Sequence, residues 1–256
     1  MQLTLTSLKG IPLVKQGDDL SVMILESLQI EGIELQNSDV IVLAQKIVSK
    51  AEGRCVHLDT FIPSDEAIKL AEASGKDPRH VQAIIEESRK ILRAVPNVII
   101  AEHNKGFICA NAGIDHSNVK GIDLDTLDDW VLLLPKDSDS SAAKIRVKLE
   151  TESQKRIAVL IIDSHGRPWR QGTIGMTIGV SGMPALVDLR GKLDLFGREL
   201  QATQVAAADE LAAAASLIMG QADEASPVVH ARGFPYALRE SGLEELIRPE
   251  SLDLFR

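Results

Sequence analysis

Aromatic side chains are scarce in this sequence: five Phe, two Trp and one Tyr among 256 residues. That disfavours a base-stacking platform for single-stranded nucleic acid. Positive charge is also short. Lys and Arg number 28 against 37 Asp and Glu, a formal net charge of −9. Coating a nucleic acid rests on many Lys/Arg–phosphate contacts, so this balance argues against it. No apolar run approaches the roughly 18 residues of a membrane span. The start, MQLTLTSLKGIPLV, lacks the basic region, long apolar stretch and small-residue cleavage site of a signal peptide. Cysteine is limited to Cys55 and Cys109, in no C-x-x-C pair. A disulfide framework and a thiolate zinc site are therefore unsupported, and both residues read as small buried hydrophobes. The cytoplasm is the default compartment.

Familiar phosphate motifs are missing as well. There is no G-x-x-x-x-G-K-[ST] and no G-x-G-x-x-G. Gly179-Val-Ser181-Gly182 is one glycine short of a nucleophile elbow, and the histidines show no H-x-x-x-H or H-x-H spacing. Any nucleotide site must use another backbone arrangement.

What is present reads as a mixed chain long enough to bury a core without staples. Val40–Ala44 suits a short buried strand running into a helical segment that Gly53 closes. Ser64–Gly75 reads as a capped helix, and Pro78–Ala94 as a second, with apolar residues at Val81, Ile84, Ile85, Ile91 and Leu92. Asn97–Ala101 and Phe107–Ala110 read as strands around a turn at Asn104-Lys105-Gly106. Trp130–Leu134 is a further apolar run, Ser138–Glu150 a helix and Arg156–Ile162 the clearest buried strand. Residues 166–183 are Gly-rich and non-helical. Gly197–Met219 reads as an Ala-rich helix ended by Gly220, and the tail from Ser241 as one short helix before Pro249. These elements do not alternate as clean βαβ units, which favours an α+β fold over a doubly wound sheet.

Five segments carry candidate chemistry. In Cys109-Ala-Asn111-Ala-Gly113-Ile-Asp115-His-Ser117-Asn118, Asp115 suits a hard cation and Asn118 a base or phosphate, though the same residues suit an Asx turn. In Ala158-Val-Leu-Ile-Ile-Asp163-Ser164 an apolar strand ends in a carboxylate and a hydroxyl. Such a pair holds Mg²⁺ or Mn²⁺, or merely caps a turn toward Gly166. Residues 166–182 set glycines beside Arg167 and Arg170, giving either close ligand approach or strand bulges and tight turns. Gly10-Ile-Pro-Leu-Val14 pairs in interest with Lys46 and Lys50; a lone lysine is usually a solvated surface group, but Lys50, set among Ser, Ala and Gly, also suits an anion site. Last, Asp194-Leu-Phe-Gly197-Arg198-Glu199-Leu and the Ala-rich helix lead to Met219-Gly-Gln-Ala-Asp-Glu-Ala-Ser226, a polar turn able to reach a metal or nucleotide, or simply a loop after close helix packing.

Taken in order, these strings resemble the coenzyme F-420-0:L-glutamate ligase family, the GTP-dependent γ-glutamyl ligases of deazaflavin cofactor synthesis. The carrying segments are Gly10–Val14, Ile47-Val-Ser-Lys50-Ala-Glu-Gly53, Asn111–Val119 and Asp163-Ser-His-Gly166-Arg167. Ile178–Gly182, Gly197–Leu200, Ala208–Leu211 and Met219-Gly220 extend them across about residue 10 to Gly233. The resemblance implies an α+β fold of two lobes in an intertwined homodimer, without the C-terminal flavin domain some relatives carry. It implies that Asp115, Asp163 and Lys50 are catalytic. Asp115 and Asp163 would bind one Mg²⁺ or Mn²⁺. Ser164 would help bind a second, with Gln221 at a position often occupied by glutamate; a neutral amide is the weaker ligand. A monovalent K⁺ belongs to the same expectation. Ile11, Pro12, Leu13, Val14, Gln45, Lys46, Lys50, Asn118, Met219, Gly220, Gln221, Ala222, Asp223, Glu224, Ala225 and Ser226 would line the GTP site. Small-molecule partners would be GTP, L-glutamate and F-420-0, then F-420-1 for a second γ-linked residue, with no nucleic acid and no membrane. The reaction would pass through an acyl phosphate and release GDP and phosphate. A γ-glutamyl ligase acting on folate or another carboxylate, and a non-catalytic nucleotide-binding dimer, are the competing readings.

Overall fold

A computed structural model of the chain describes residues 2–117, 119 and 129–253. Along the chain, β1 (Thr4–Ser7) leads to α1 (Leu20–Ile30) and then to β2 (Val40–Ala44), which runs directly into α2 (Gln45–Ala51). A second group follows: β3 (Cys55–His57), α3 (Asp65–Ser74), α4 (Pro78–Glu86), β4 (Ser88–Val95), β5 (Val98–His103), β6 (Ile108–Ala110) and β7 (Trp130–Leu132). The chain returns through α5 (Ser138–Ser153) and the hairpin of β8 (Ala158–Arg167) and β9 (Arg170–Ser181). The short β10 (Val187–Asp188) and β11 (Gln204–Val205), α6 (Ala207–Met219) and β12 (Val228–Arg232) complete it.

The class is α+β. The main sheet has the order β1-β12-β2-β8-β9, and only the β2–β8 pair is parallel. Its central strands read as unbroken apolar runs because helices cover both faces. On one face Ile41, Leu43, Val159 and Ile161 pack with Ile24 and Leu28 of α1 and Ile145 and Leu149 of α5. On the other, Val40, Val42, Ala158 and Leu160 pack on Ala208, Leu211, Ala212 and Ala215 of α6. The segment between α2 and α5 builds a separate core in which Val81, Ile84, Ile99, Ala101 and Val131 meet. Among the described residues no helix is long and apolar enough to cross a membrane.

The glycines of β9 have a packing role. Gly175 lies against the Ala212 carbonyl and Ser216 of α6, and Gly179 lies against the start of α5 at Ser138. In an unbroken strand residues four apart share a face. Here the register slips between Ile161↔Gly179 and Ile162↔Thr177, so the two glycines serve helices on opposite faces. A Cβ at either position would collide with backbone.

Three sequence expectations are corrected. The helix expected over Pro78–Ala94 stops at Glu86, and Ser88–Val95 is a strand paired with β5, where Ile91 faces Ala101 and Ala94 faces Ile99. Pairing within a tight hairpin, in which Val95 faces Val98, overrides a helical period there. The Ala-rich helix starts at Ala207, not Gly197, because Gln204 and Val205 pair with Asp188 and Val187. The tail after Ser241 forms two 3-10 turns, Leu243–Glu245 and Glu250–Leu252.

One buried ionic cluster ties the sheet together. Asp39, at the entrance to β2, accepts from His230 Nε2 at 2.8 Å and from both Nε and a terminal nitrogen of Arg232 at 2.9 and 2.7 Å. Asp39 is 1% exposed. Burial opposes its ionisation, but the Arg232 and His230 hydrogen bonds override burial and lower its pKa from 3.8 to about 2. A carboxyl lowered in this way stabilises the fold above its unfolded value, and the contribution is lost as pH falls from about 4 to about 2. Asp39→Ala is expected to lower the unfolding free energy by about 3–5 kcal/mol in urea titration at neutral pH. Asp39→Asn should flatten the acid limb of stability between those pH values. Wild-type urea midpoints for Asp39→Ala would contradict the role.

Candidate functional site

The parallel register decides where the polar groups gather. Ala44 pairs with Ile162, so the next residues, Gln45 at the start of α2 and Asp163 midway along β8, emerge side by side where β2 ends and β8 runs on. Open sheets commonly bind ligands at the carboxyl ends of strands. Along β8, Asp163 and His165 point to one face and Ser164 to the other. His165 Nε2 lies 3.0 Å from Asp163 Oδ2. Ser164 Oγ donates to Gln221 Oε1 at 2.7 Å, and Gln221 Nε2 donates to Ser216 Oγ of α6 at 3.0 Å.

Asp115 arrives from the other core. A 3-10 turn over Asn111–Gly113 follows β6, and Asp115 then exchanges two backbone hydrogen bonds with Leu132 of β7, at 3.0 and 2.9 Å. This bridge aims the carboxylate at α2. Asp115 Oδ2 accepts from Gln45 Nε2 at 2.8 Å and pairs with Lys46 Nζ at 2.9 Å. Gln45 is oriented in turn, because its Oε1 accepts from Ser49 Oγ at 2.9 Å. Lys46 also donates to Ser117, to the carbonyl at 3.0 Å and to the hydroxyl at 3.2 Å. Lys50 lies one turn beyond Lys46 on the same face of α2.

A cleft of about 410 Å³ opens beside these groups, a volume suited to a small-molecule ligand. Its walls are the loop of Ile11–Val14, the start of α2 with Lys46 and Lys50, β8 at Ile162–Ser164, and α6 with its following turn from Ser216 to Pro227. Burial, and then the neighbouring Asp163 carboxylate, push the Asp115 carboxyl above its ordinary range against the pull of Lys46 and Gln45. Burial, and then the like charge of Lys46, push Lys50 below its own. Two like-charge repulsions thus meet in one place: Asp163 against Asp115, and Lys46 against the half-buried Lys50.

Residues 10–233 match the profile of the F420-0:Gamma-glutamyl ligase family. The chain belongs to that family. It is 46% identical over its whole length to the coenzyme F420:L-glutamate ligase of Methanothermobacter thermautotrophicus, which it covers in full. It is 45% identical to the protein of that name from Methanocaldococcus jannaschii, over 96% of this chain and 94% of the relative. The Archaeoglobus fulgidus protein of that name is 39% identical over all of this chain and 97% of its own length.

In this ligase most residues singled out from sequence meet in one place. Ile11, Pro12, Leu13, Val14, Gln45, Lys46, Lys50, Asp163, Ser164 and the run Met219, Gly220, Gln221, Ala222, Asp223, Glu224, Ala225 and Ser226 all line the cleft. Asp115 joins them through Gln45 and Lys46. Asn118 lies outside the described residues. Arg167 and Arg170 are not brought in: they pair at the turn end of the β8–β9 hairpin, outside the cleft lining. The cleft's lysines, Lys46 and Lys50, are its cations among the described residues. Sequence reasoning missed Ser216, a lone hydroxyl in an Ala-rich helix and the partner that orients Gln221. Cys109 behaves as the small hydrophobe expected of it. Its thiol is buried, and burial and then Asp163 push it up to about 12.

No cage of three His, Cys, Asp or Glu side chains forms among the described residues. The donors at hand are two carboxylates, a hydroxyl and an amide, all hard oxygen ligands. Mg²⁺ is usually held by one or two carboxylates together with substrate phosphates and water, so this set fits an ion that arrives with a nucleotide. If Asp163 faces Asp115 as described, Asp163→Asn lowers the Asp115 titration midpoint in carboxyl NMR, because it removes a cause of the upward shift. An unchanged midpoint would contradict the arrangement.

Proposed function

We propose that the chain is a GTP-dependent ligase that joins L-glutamate to coenzyme F420-0, then adds a second, γ-linked residue to F420-1. The observation that carries this reading is the cleft, where the Asp115–Asp163 pair, Lys46, Lys50 and the turn after α6 converge. The names of relatives aligned over 96% or more of the chain support the acceptor and the amino acid.

The chemistry follows from the charges. A carboxylate is a poor acyl donor because its oxygen is a poor leaving group. Attack of the acceptor carboxylate on the γ-phosphorus of GTP breaks the bond to GDP and makes an acyl phosphate. The amine of glutamate then attacks the acyl carbon, the carbon–oxygen bond to phosphate breaks, and the nitrogen loses a proton. Each reactant is an anion, so the protein's contribution is positioning and neutralisation. In this reading Lys46 and Lys50 hold phosphate oxygens, and the Ile11–Val14 loop and residues 219–226 hold the rest of the nucleotide. Asp115 and Asp163 would hold one Mg²⁺ or Mn²⁺, with Ser164 and Gln221 toward a second; when bound, such ions neutralise phosphate charge. A K⁺ site, a homodimeric assembly and a cytoplasmic setting belong to the same reading.

Incubation with F420-0, L-glutamate, GTP and Mg²⁺ or Mn²⁺ is expected to give a product heavier by one, then two glutamyl residues. GDP and phosphate should appear in equal amounts. Asp163→Asn should abolish turnover with the fold intact by circular dichroism. Turnover on folate in place of F420-0 would move the acceptor assignment, and wild-type rates in Asp163→Asn would refute the role of the carboxylate pair.

A further inference from the structure

His165 was no candidate on sequence grounds, yet it is the buried residue nearest to Asp163 in bonding terms. Its ring is 5% exposed and its Nε2 lies 3.0 Å from Asp163 Oδ2. A carboxylate only accepts hydrogen bonds, so Nε2 carries the hydrogen and donates it. Asp163 Oδ1 accepts no hydrogen bond among the described residues, which leaves that oxygen for a ligand.

The ring is itself braced from the turn between β5 and β6. Phe107, in the turn between β5 and β6, packs on it with centroids 5.4 Å apart. His103 stacks on the far side of Phe107 at 4.8 Å with planes 6° from parallel. His103 is fixed at one nitrogen: Nδ1 accepts from the Lys105 amide at 3.0 Å, while the buried Nε2 makes no hydrogen bond among the described residues and sits 3.8 Å from Glu87. Glu87 is held by Arg54 at 2.9 Å, and Arg54 Nε donates to the Leu134 carbonyl at 2.8 Å. The His103–Phe107 stack thus packs on the ring that meets a single carboxylate oxygen at the cleft.

We propose that His165 is a positioning residue: it fixes the Asp163 carboxylate with one oxygen occupied and the other presented to a divalent cation, and the Phe107–His103 stack holds it in that orientation. The inference rests on the cation reading given above. Outer groups of this kind support metal affinity without touching the ion.

The test is Mn²⁺ binding to protein carrying a non-hydrolysable GTP analogue, by calorimetry against an analogue-only blank, with thermal melts as a folding check. H165N, whose amide falls short of Asp163, and H165F, which keeps a ring without the donor, are expected to bind Mn²⁺ about 10- to 100-fold more weakly than wild type. H165Q, whose amide nitrogen reaches the place of Nε2, should stay near wild type. GTP affinity in EDTA should be unchanged in all of them. If H165F fails to fold, H165N against H165Q carries the test. If D163N binds Mn²⁺ as wild type does, the cation reading fails and this proposal with it. If D163N loses binding while H165N and H165F keep it, the positioning role alone is overturned. A loss in H165Q equal to that in H165N would assign the support to ring packing and overturn the hydrogen-bond role.

Discussion

Two carboxylates brought together under partial burial are the constraint around which the rest is arranged. Asp163 helps push the Asp115 carboxyl above its ordinary range, and burial adds to the effect. Such a pair repels itself, and a fold keeps it only if neighbours hold both groups in place. Lys46 and Gln45 hold Asp115, and His165 holds Asp163. The repulsion is a cost to stability of the kind that binding sites commonly carry. In the proposed function it is also what would draw a cation there.

The two carboxylates reach that point by different routes. Asp163 is delivered by the parallel pairing of β2 with β8, which also sets Gln45 and α2 beside it. Asp115 is delivered by the bridge to Leu132 on β7, and β7 pairs in turn with β3, directly after α2. The site is therefore a junction between the helix-covered sheet and the second core. A change in how those cores meet would separate Asp115 from Asp163 before it disturbed either alone. The Asp39–His230–Arg232 cluster secures the opposite end of β2 by tying it to β12.

Much of this was legible in the sequence, and the failures have physical causes. Val40–Ala44 and the run around Ala158–Ile162 announced themselves as buried strands because both faces are covered. Ser64 and Gly75 marked the ends of α3 correctly, since capping is local chemistry. The stretch after Glu86 misled because Ile91 and Leu92 fit a helical period, while a turn at Pro96-Asn97 folds the segment back on β5 with a register shift at Leu92. Strand β12 and helix α1 went unread although Val228–Val229 is β-branched and Asp19 caps Leu20, Ile24 and Leu28 at helical spacing. The site was legible mainly as an ordered set of strings resembling one family. No spacing rule reveals that residues 70 apart, Gln45 and Asp115, share a hydrogen bond. The β9 glycines read as either ligand approach or strand bulges; Gly175 and Gly179 serve helix packing on either side of a register slip.

Manganese anomalous scattering from a crystal of the protein soaked in Mn²⁺ and a non-hydrolysable GTP analogue tests most directly whether the carboxylate pair is a cation site. An anomalous peak in direct coordination contact with both Asp115 and Asp163, with Lys46 displaced toward phosphate, is the expected result. A nucleotide bound in the cleft with no peak between the two carboxylates would contradict it.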